Sequence, residues 1–205
     1  MISYSVTDNI KMFKKENDVT IIDDFLPKEY FEQLQYTIGS VYQPWFYQHN
    51  ITSFDEYSPL GHHGFNYWIV KETNQLTSNQ SSQLFSPLLV KMKGLIGSEN
   101  ILRSRLDMTL YTGRSKRCGA HVDSVTPHTN TIFYLNDSDG DTVIYNQVYD
   151  PQKDQNHYSI KRWLTVKKRI QPKANRLLAY DGKYIHTGHT PSKHNTRILI
   201  NSNFN

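Results

Sequence analysis

The chain has 205 residues and a formal net charge of +4, with 37% hydrophobic content, 14 Tyr, 9 Phe and 3 Trp. This is enough length and apolar surface for one substantial core, and the aromatic content argues against disorder. No run approaches the ~20 apolar residues of a membrane span, and Met1–Ser5 has no signal-peptide pattern, so the chain reads as cytoplasmic. The single cysteine, Cys118, excludes an internal disulfide and a thiolate zinc cluster. Any bound metal must use His and carboxylate. The charge is uneven: residues 1–100 hold 7 basic and 11 acidic side chains, whereas 101–205 hold 16 and 8. A basic field of this kind suits nucleic acid, an acidic protein or a small dianion; solvated Lys and Arg on strand edges explain it equally well.

In chain order, Val19–Phe25 is β-branched and predicts an opening strand. Leu26-Pro27 then starts a helix whose apolar face is Tyr30, Phe31, Leu34 and Ile38, ending at Gly39. Residues 43–70 are irregular and aromatic and close on a strand; the loop before it is a candidate pocket wall. Adjacent His62 and His63 are set aside as ligands, because neighbours on a strand face opposite ways and no carboxylate lies near. Thr73–Ser82 reads as loop, and Leu84, Leu88, Leu89, Met92 and Ile96 mark a second amphipathic helix ending near Gly97.

Seven strand-like runs follow, over 101–112, 129–136, 141–146, 162–170, 175–180, 184–187 and 196–204. With no helical pattern between them, they point to an antiparallel sandwich or jelly roll. A hairpin insert is expected over Tyr149–Lys161. The expected fold is mainly β, a double-stranded β-helix (jelly roll) with N-terminal flanking helices. It forms one domain over 1–205, in which 1–100 carries the flanking elements and 101–205 the core.

Within that core, His121-Val122-Asp123 places an imidazole and a carboxylate on one face of an extended segment. His186, 63 residues beyond Asp123, supplies a third ligand. Two histidines and one carboxylate leave open positions on a non-heme Fe(II) or a similar divalent metal. His189 and His194 compete with His186; His186 follows Asp181-Gly182 and a β-prone stretch, whereas His194 sits in a turn. Arg197 puts a permanent cation inside the apolar run 196–200, where a guanidinium needs an anion. Gly188 lets backbone pass close to the metal or its co-substrate. His128 reads as a solvated strand-start histidine.

Five pieces taken together resemble the Fe(II)/2-oxoglutarate-dependent oxygenases, on their prolyl-hydroxylase-like branch. They are Leu110–Gly113; His121-Val122-Asp123; Thr131–Asn136 with Asp139–Thr142; Pro172–Gly182; and His186-Thr187-Gly188 with Arg197. The resemblance spans about half the chain. It implies that His121, Asp123 and His186 ligate Fe(II) and act in catalysis, and that Arg197 binds the distal carboxylate of 2-oxoglutarate. It further implies that Tyr134 helps at that carboxylate and that Tyr111 reaches the co-substrate near the metal; aromatic core packing is the alternative for each Tyr. The implied reaction consumes O2 and 2-oxoglutarate, hydroxylates a protein or peptide residue such as proline, and releases succinate and CO2. Because Asp123 is a carboxylate and not a small residue, the likeness favours hydroxylation over halogenation. One departure from the family pattern is Asp139-Gly140-Asp141 where a double glycine is usual.

Two other readings use the same residues. One is a cupin-type metal-dependent hydrolase or isomerase without 2-oxoglutarate, which leaves Arg197 without a role. The other is a nucleic-acid-binding module with a relic site, using Arg114, Lys116, Arg117, Lys167, Lys168 and Arg169.

Overall fold

The computed structural model describes residues 19–51 and 63–205. His62 and the middle of the aromatic loop lie outside the described residues. The elements are β1 (Val19–Ile22), α1 (Lys28–Ile38), β2 (Phe46–Gln48), β3 (Gly64–Glu72), β4 (Gln75–Leu76), α2 (Gln80–Ile96), β5 (Ile101–Leu110), β6 (Thr129–Tyr134), β7 (Thr142–Val148), β8 (Val166–Ile170), β9 (Arg176–Asp181), β10 (Tyr184–Gly188) and β11 (Thr196–Phe204).

These strands form two antiparallel sheets. The larger runs β1-β9-β6-β11-β5-β3-β2, with β4 on β3, and the smaller runs β10-β7-β8. Isolated bridges Arg117↔His189 and His121↔His186 bring the segment before β6 alongside β10. The outcome is the expected jelly roll with flanking helices. Its inner and outer faces follow from the period-2 alternation of the strands. On β6, Phe133 points to the helical layer while Ile132 and Tyr134 point between the sheets; on β9, Leu177 and Leu178 divide the same way. The helical side buries Phe31 and Leu34 of α1 with Phe85, Leu88, Leu89 and Met92 of α2 against Phe133, Leu177, Ile200 and Phe204.

Three boundaries differ from the sequence reading. The first strand stops at Ile22, because Phe25 and Leu26 turn into the helical core and are held by Asn175, whose backbone accepts from Phe25 N and whose side chain bonds both backbone groups of Leu26. The second helix begins at Gln80, four residues before its first apolar residue. Asn79 caps it by accepting from Ser81 N, and the buried Ser82 hydroxyl bonds Tyr67 (2.5 Å) and Thr77 (2.6 Å), so a polar first turn packs inward. Pro87 inside this helix lacks an N–H, and the Tyr30 hydroxyl bridges the adjoining turn, donating to Leu84 O and accepting from Leu88 N. Finally, β8 starts at Val166, so the insert extends through Thr165.

Candidate metal and co-substrate site

His121, Asp123 and His186 converge. One ligand atom from each lies within 4.8 Å of the others; His121 Nε2 is 3.6 Å from Asp123 Oδ1 and His186 Nε2 is 3.9 Å from Asp123 Oδ2. Both imidazoles are aimed by their other nitrogen. Nδ1 of His121 lies 2.8 Å from the Gly119 carbonyl, and Nδ1 of His186 lies 3.3 Å from the Tyr184 carbonyl. With the proton on Nδ1, each ring offers the Nε2 lone pair inward. Burial, together with neighbouring His121, pushes the His186 pKa down to about 3, so this imidazole is neutral, as a ligand must be. For Asp123, burial raises the pKa, but the Arg103 guanidinium beside it acts the other way, and the carboxyl is held well below the usual range.

The Asp123 carboxylate is clamped from several strands. Arg103 Nη2 lies 2.7 Å from Oδ1, while Asn130, Asn201 and Asn203 donate to Oδ2 at 2.6, 3.1 and 3.3 Å. Arg103 also bonds Asn203. These residues were not singled out in the sequence. The available signal was alternation: Arg103, Arg105, Asp107 and Thr109 are polar at every second position of β5, as are Asn201 and Asn203 of β11, in strands whose other face is apolar or small. Such a pattern marks a polar interior.

Arg197 stands on β11 opposite Thr109 and is 7% exposed. Its Nη2 donates to Thr142 Oγ1 at 2.7 Å, its Nε is buried with no hydrogen-bond partner, and among the described residues no carboxylate pairs with it. A buried guanidinium in this condition is suited to receive an anion. Gly188 lies directly behind it: a Cβ there would come 3.3 Å from Nη1. Gly188 therefore makes room for the guanidinium. Gly140 does similar work, since a Cβ would meet His189 O at 2.5 Å and Arg197 Cδ at 2.9 Å. Beside it, Asp139 accepts from Ser192, Lys193 and His194 and ties down the turn before β11. This is what the chain has in place of a double glycine.

A cavity of about 640 Å³ contains the three ligands and Arg197; its wall includes Arg105, Asp107 and Thr109 of β5, Asn201 of β11, and Asn156 and Tyr158 of the insert. Tyr134 is fully buried behind this wall; it donates to Thr142 Oγ1 at 2.7 Å, and the Arg197 guanidinium lies 5.9 Å over its ring. Tyr111 is not brought to the cavity. It follows the last residue of β5, is 50% exposed, and its hydroxyl donates to Gly113 O. His128 is buried and not solvated, its ring packed on Gly182 and its Nδ1 2.7 Å from Thr126 O. His189 and His194 lie off the ligand cluster, with Nδ1 near Asp141 O and Asp139 Oδ1 respectively. His63 is exposed beside Tyr47.

No protein-family model and no curated protein sequence matches the chain. Solved structures do match in fold. A prolyl hydroxylase from Trichoplax adhaerens, in complex with a hypoxia inducible factor oxygen degradation domain peptide fragment, superposes with a TM-score of 0.66 at 13% identity, over 97% of this chain and 88% of that one. An oxidoreductase of the 2OG-Fe(II) oxygenase family from Burkholderia pseudomallei gives 0.64 at 13% identity, over 99% and 92%. The epimerase SnoN from nogalamycin biosynthesis, in complex with Fe3+, alpha ketoglutarate and nogalamycin RO, gives 0.65 at 9% identity, over 97% and 82%. The architecture is thus that of the 2-oxoglutarate/Fe(II) oxygenases. At these identities the likeness is one of fold, and function has to be argued from the site.

Proposed function

We propose that the protein is an Fe(II)- and 2-oxoglutarate-dependent dioxygenase that hydroxylates a protein or peptide residue, such as proline, and releases succinate and CO2. The observation that carries this reading is the pairing, in one cavity, of a His-Asp-His cluster with a buried Arg197 that has no carboxylate partner among the described residues. The donor set fits the metal: two imidazole nitrogens and one carboxylate suit Fe(II) and leave sites open. The guanidinium fits a dianionic keto acid. A cupin-type hydrolase or isomerase needs only the metal and gives Arg197 nothing to do.

In this mechanism His121, His186 and Asp123 hold the metal, and the Asn130–Asn201–Asn203–Arg103 clamp fixes the direction of the Asp123 lone pairs. Arg197 receives the far carboxylate of 2-oxoglutarate, while Thr142, held by Tyr134, fixes the guanidinium. Fe(II) with 2-oxoglutarate and O2 supplies the oxidising chemistry, coupling loss of CO2 to insertion of one oxygen atom into a substrate C–H bond. The protein orients the substrate and excludes water. A peptide suits the polar cavity wall because it brings amide donors and acceptors of its own, which can meet Asn156, the unpartnered Oδ1 of Asn201 and the Arg105–Asp107 ion pair (2.7 Å). The T. adhaerens neighbour is described with a peptide bound, which supports the same choice.

The nucleic-acid reading is weakened by what the basic residues do. Arg169 pairs with Asp141 at 3.2 Å and Lys167 lies 4.8 Å over the Tyr184 ring, so two of the six are already engaged within the protein. The test is succinate release from 2-oxoglutarate by Fe(II)-loaded protein, with intact-mass screening of peptides for a gain of one oxygen. Succinate release that depends on a peptide supports the proposal; metal-dependent turnover of any substrate without 2-oxoglutarate moves the protein to the cupin reading.

A further inference from the structure

A second groove of about 660 Å³ lies beside the metal cavity, lined by residues 114–117 and 160–164. The insert is shared between the two: Asn156, Tyr158 and Ser159 line the metal cavity, and Ile160–Leu164 line the groove. Its position is set by backbone bonds to the metal-bearing segment, Val122 N to His157 O and Ile160 N to Ala120 O. Two facts define its chemistry. Five of its nine lining residues are Arg or Lys, and its Trp163 is 85% exposed. Arg162 is neutralised by the buried Asp154, at 2.7 Å. Among the described residues, no carboxylate pairs with Arg114, Lys116 or Lys161.

We propose that this groove docks an acidic stretch of the polypeptide substrate, about four to six residues from the residue held at the metal; the inference rests on the peptide-hydroxylase reading of the neighbouring cavity. The spacing comes from the fold. Residues 117–121 run antiparallel to β10, bridged at Arg117↔His189 and His121↔His186. Ile160 meets Ala120 at the groove's near edge, while Lys116 stands five residues before His121, so at roughly 3.3 Å per residue this open cation lies up to roughly 16 Å from it. An extended substrate covers that span in about the same number of residues. Glu and Asp carboxylates suit the Arg and Lys groups, and the bare indole of Trp163 offers an apolar face to the substrate backbone. Nucleic acid fits less well: a strand binds by neutralising many phosphates along a track, whereas here the open cations form one patch next to a buried carboxylate.

The experiment is fluorescence anisotropy with labelled 16-residue peptides carrying one proline. One set has four Glu placed four to seven residues to either side of the proline, a matched set has Gln, and a 16-nucleotide oligothymidylate is run beside them, all with full-length protein at low salt. The Glu peptide on one side is expected to bind at least tenfold more tightly than its Gln match. The gap should close at high salt, and R114E/K116E/K161E should abolish it. The thermal midpoint and the Fe(II)–2-oxoglutarate absorption of that variant show that fold and metal site are intact. Equal binding of Glu and Gln peptides, or oligothymidylate binding more tightly than the Glu peptide, overturns the proposal. Binding is read without turnover, so absence of 2-oxoglutarate consumption in the unsubstituted protein overturns the hydroxylase reading separately.

Discussion

Arg197→Met should move two properties in opposite directions. Arg197 is 7% exposed, makes one side-chain hydrogen bond, to Thr142, lies 5.9 Å over the Tyr134 ring, has a buried Nε without a hydrogen-bond partner, and has no carboxylate beside it among the described residues. An uncompensated buried charge costs several kcal/mol of desolvation even after relaxation. Met is apolar and of similar length, so the substitution is expected to stabilise the ligand-free protein by about 1–2 kcal/mol. For a chain of this size that raises the melting midpoint by roughly 2–8 °C. Co-substrate affinity should fall, because removing one partner of a buried, hydrogen-bonded charge pair costs about 3–5 kcal/mol, a loss of roughly a hundred- to several-thousand-fold. Calorimetric titration of 2-oxoglutarate into Mn(II)-loaded protein reads the second quantity and a thermal melt reads the first. Arg197→Lys, which keeps the charge but not the planar fork, should fall between. An Arg197→Met protein that binds 2-oxoglutarate within threefold of the unsubstituted chain, or that melts lower without ligand, would refute the reasoning.

Four further substitutions test the parts around the site. Asn130→Ala removes the 2.6 Å bond to Asp123 Oδ2 and should weaken Mn(II) binding by about 10–100-fold, measured by metal titration; unchanged affinity would show that the clamp is idle. Tyr134→Phe removes the hydrogen bond behind Thr142 and should cost about 0.5–1.5 kcal/mol of 2-oxoglutarate affinity, whereas Tyr111→Phe, away from the cavity, should change it by less than twofold. At Asp139 burial raises the pKa, but bonds from Ser192, His194 and the amides of 192 and 193 outweigh it and hold the carboxyl well below the usual range. A depressed folded pKa gives stability that is full above the unfolded value of about 3.9 and is lost as pH falls towards the folded value. Asp139→Asn should therefore lose less stability between pH 5 and pH 2 than the unsubstituted protein in denaturant titrations; equal losses would contradict the assignment.

The parts of the site that could be read from sequence are those whose geometry is local or whose residue type is costly in its setting. His121 and Asp123 share a face because they are two apart, and Arg197 stands out because a guanidinium interrupts an apolar strand. Asn130, Asn201, Asn203 and Arg103 are not legible in the sequence because they meet Asp123 only through the register of β6, β11 and β5, where Asn203 pairs with Asn130 on one side and Arg103 on the other. That register is non-local and leaves no motif. The same holds for Tyr111, whose spacing from His121 matched a family habit but whose side chain falls past the end of β5. The first turn of α2 is not legible from apolar periodicity, because its buried serines, Ser81 bonded to Asn79 and Ser82 to Tyr67 and Thr77, look like loop. The burial of His128 is hidden in the sequence for a related reason: the glycine that accommodates its ring, Gly182, is 54 residues away.

The central claim is that one ferrous ion and one 2-oxoglutarate bind together in the cavity of His121, Asp123, His186 and Arg197. Anaerobic addition of Fe(II) and then 2-oxoglutarate, followed by visible absorption, measures that joint binding directly. The account predicts a weak charge-transfer band that needs both additions and is lost in His186→Ala. A band that survives this substitution, or none in the unsubstituted protein, would contradict it.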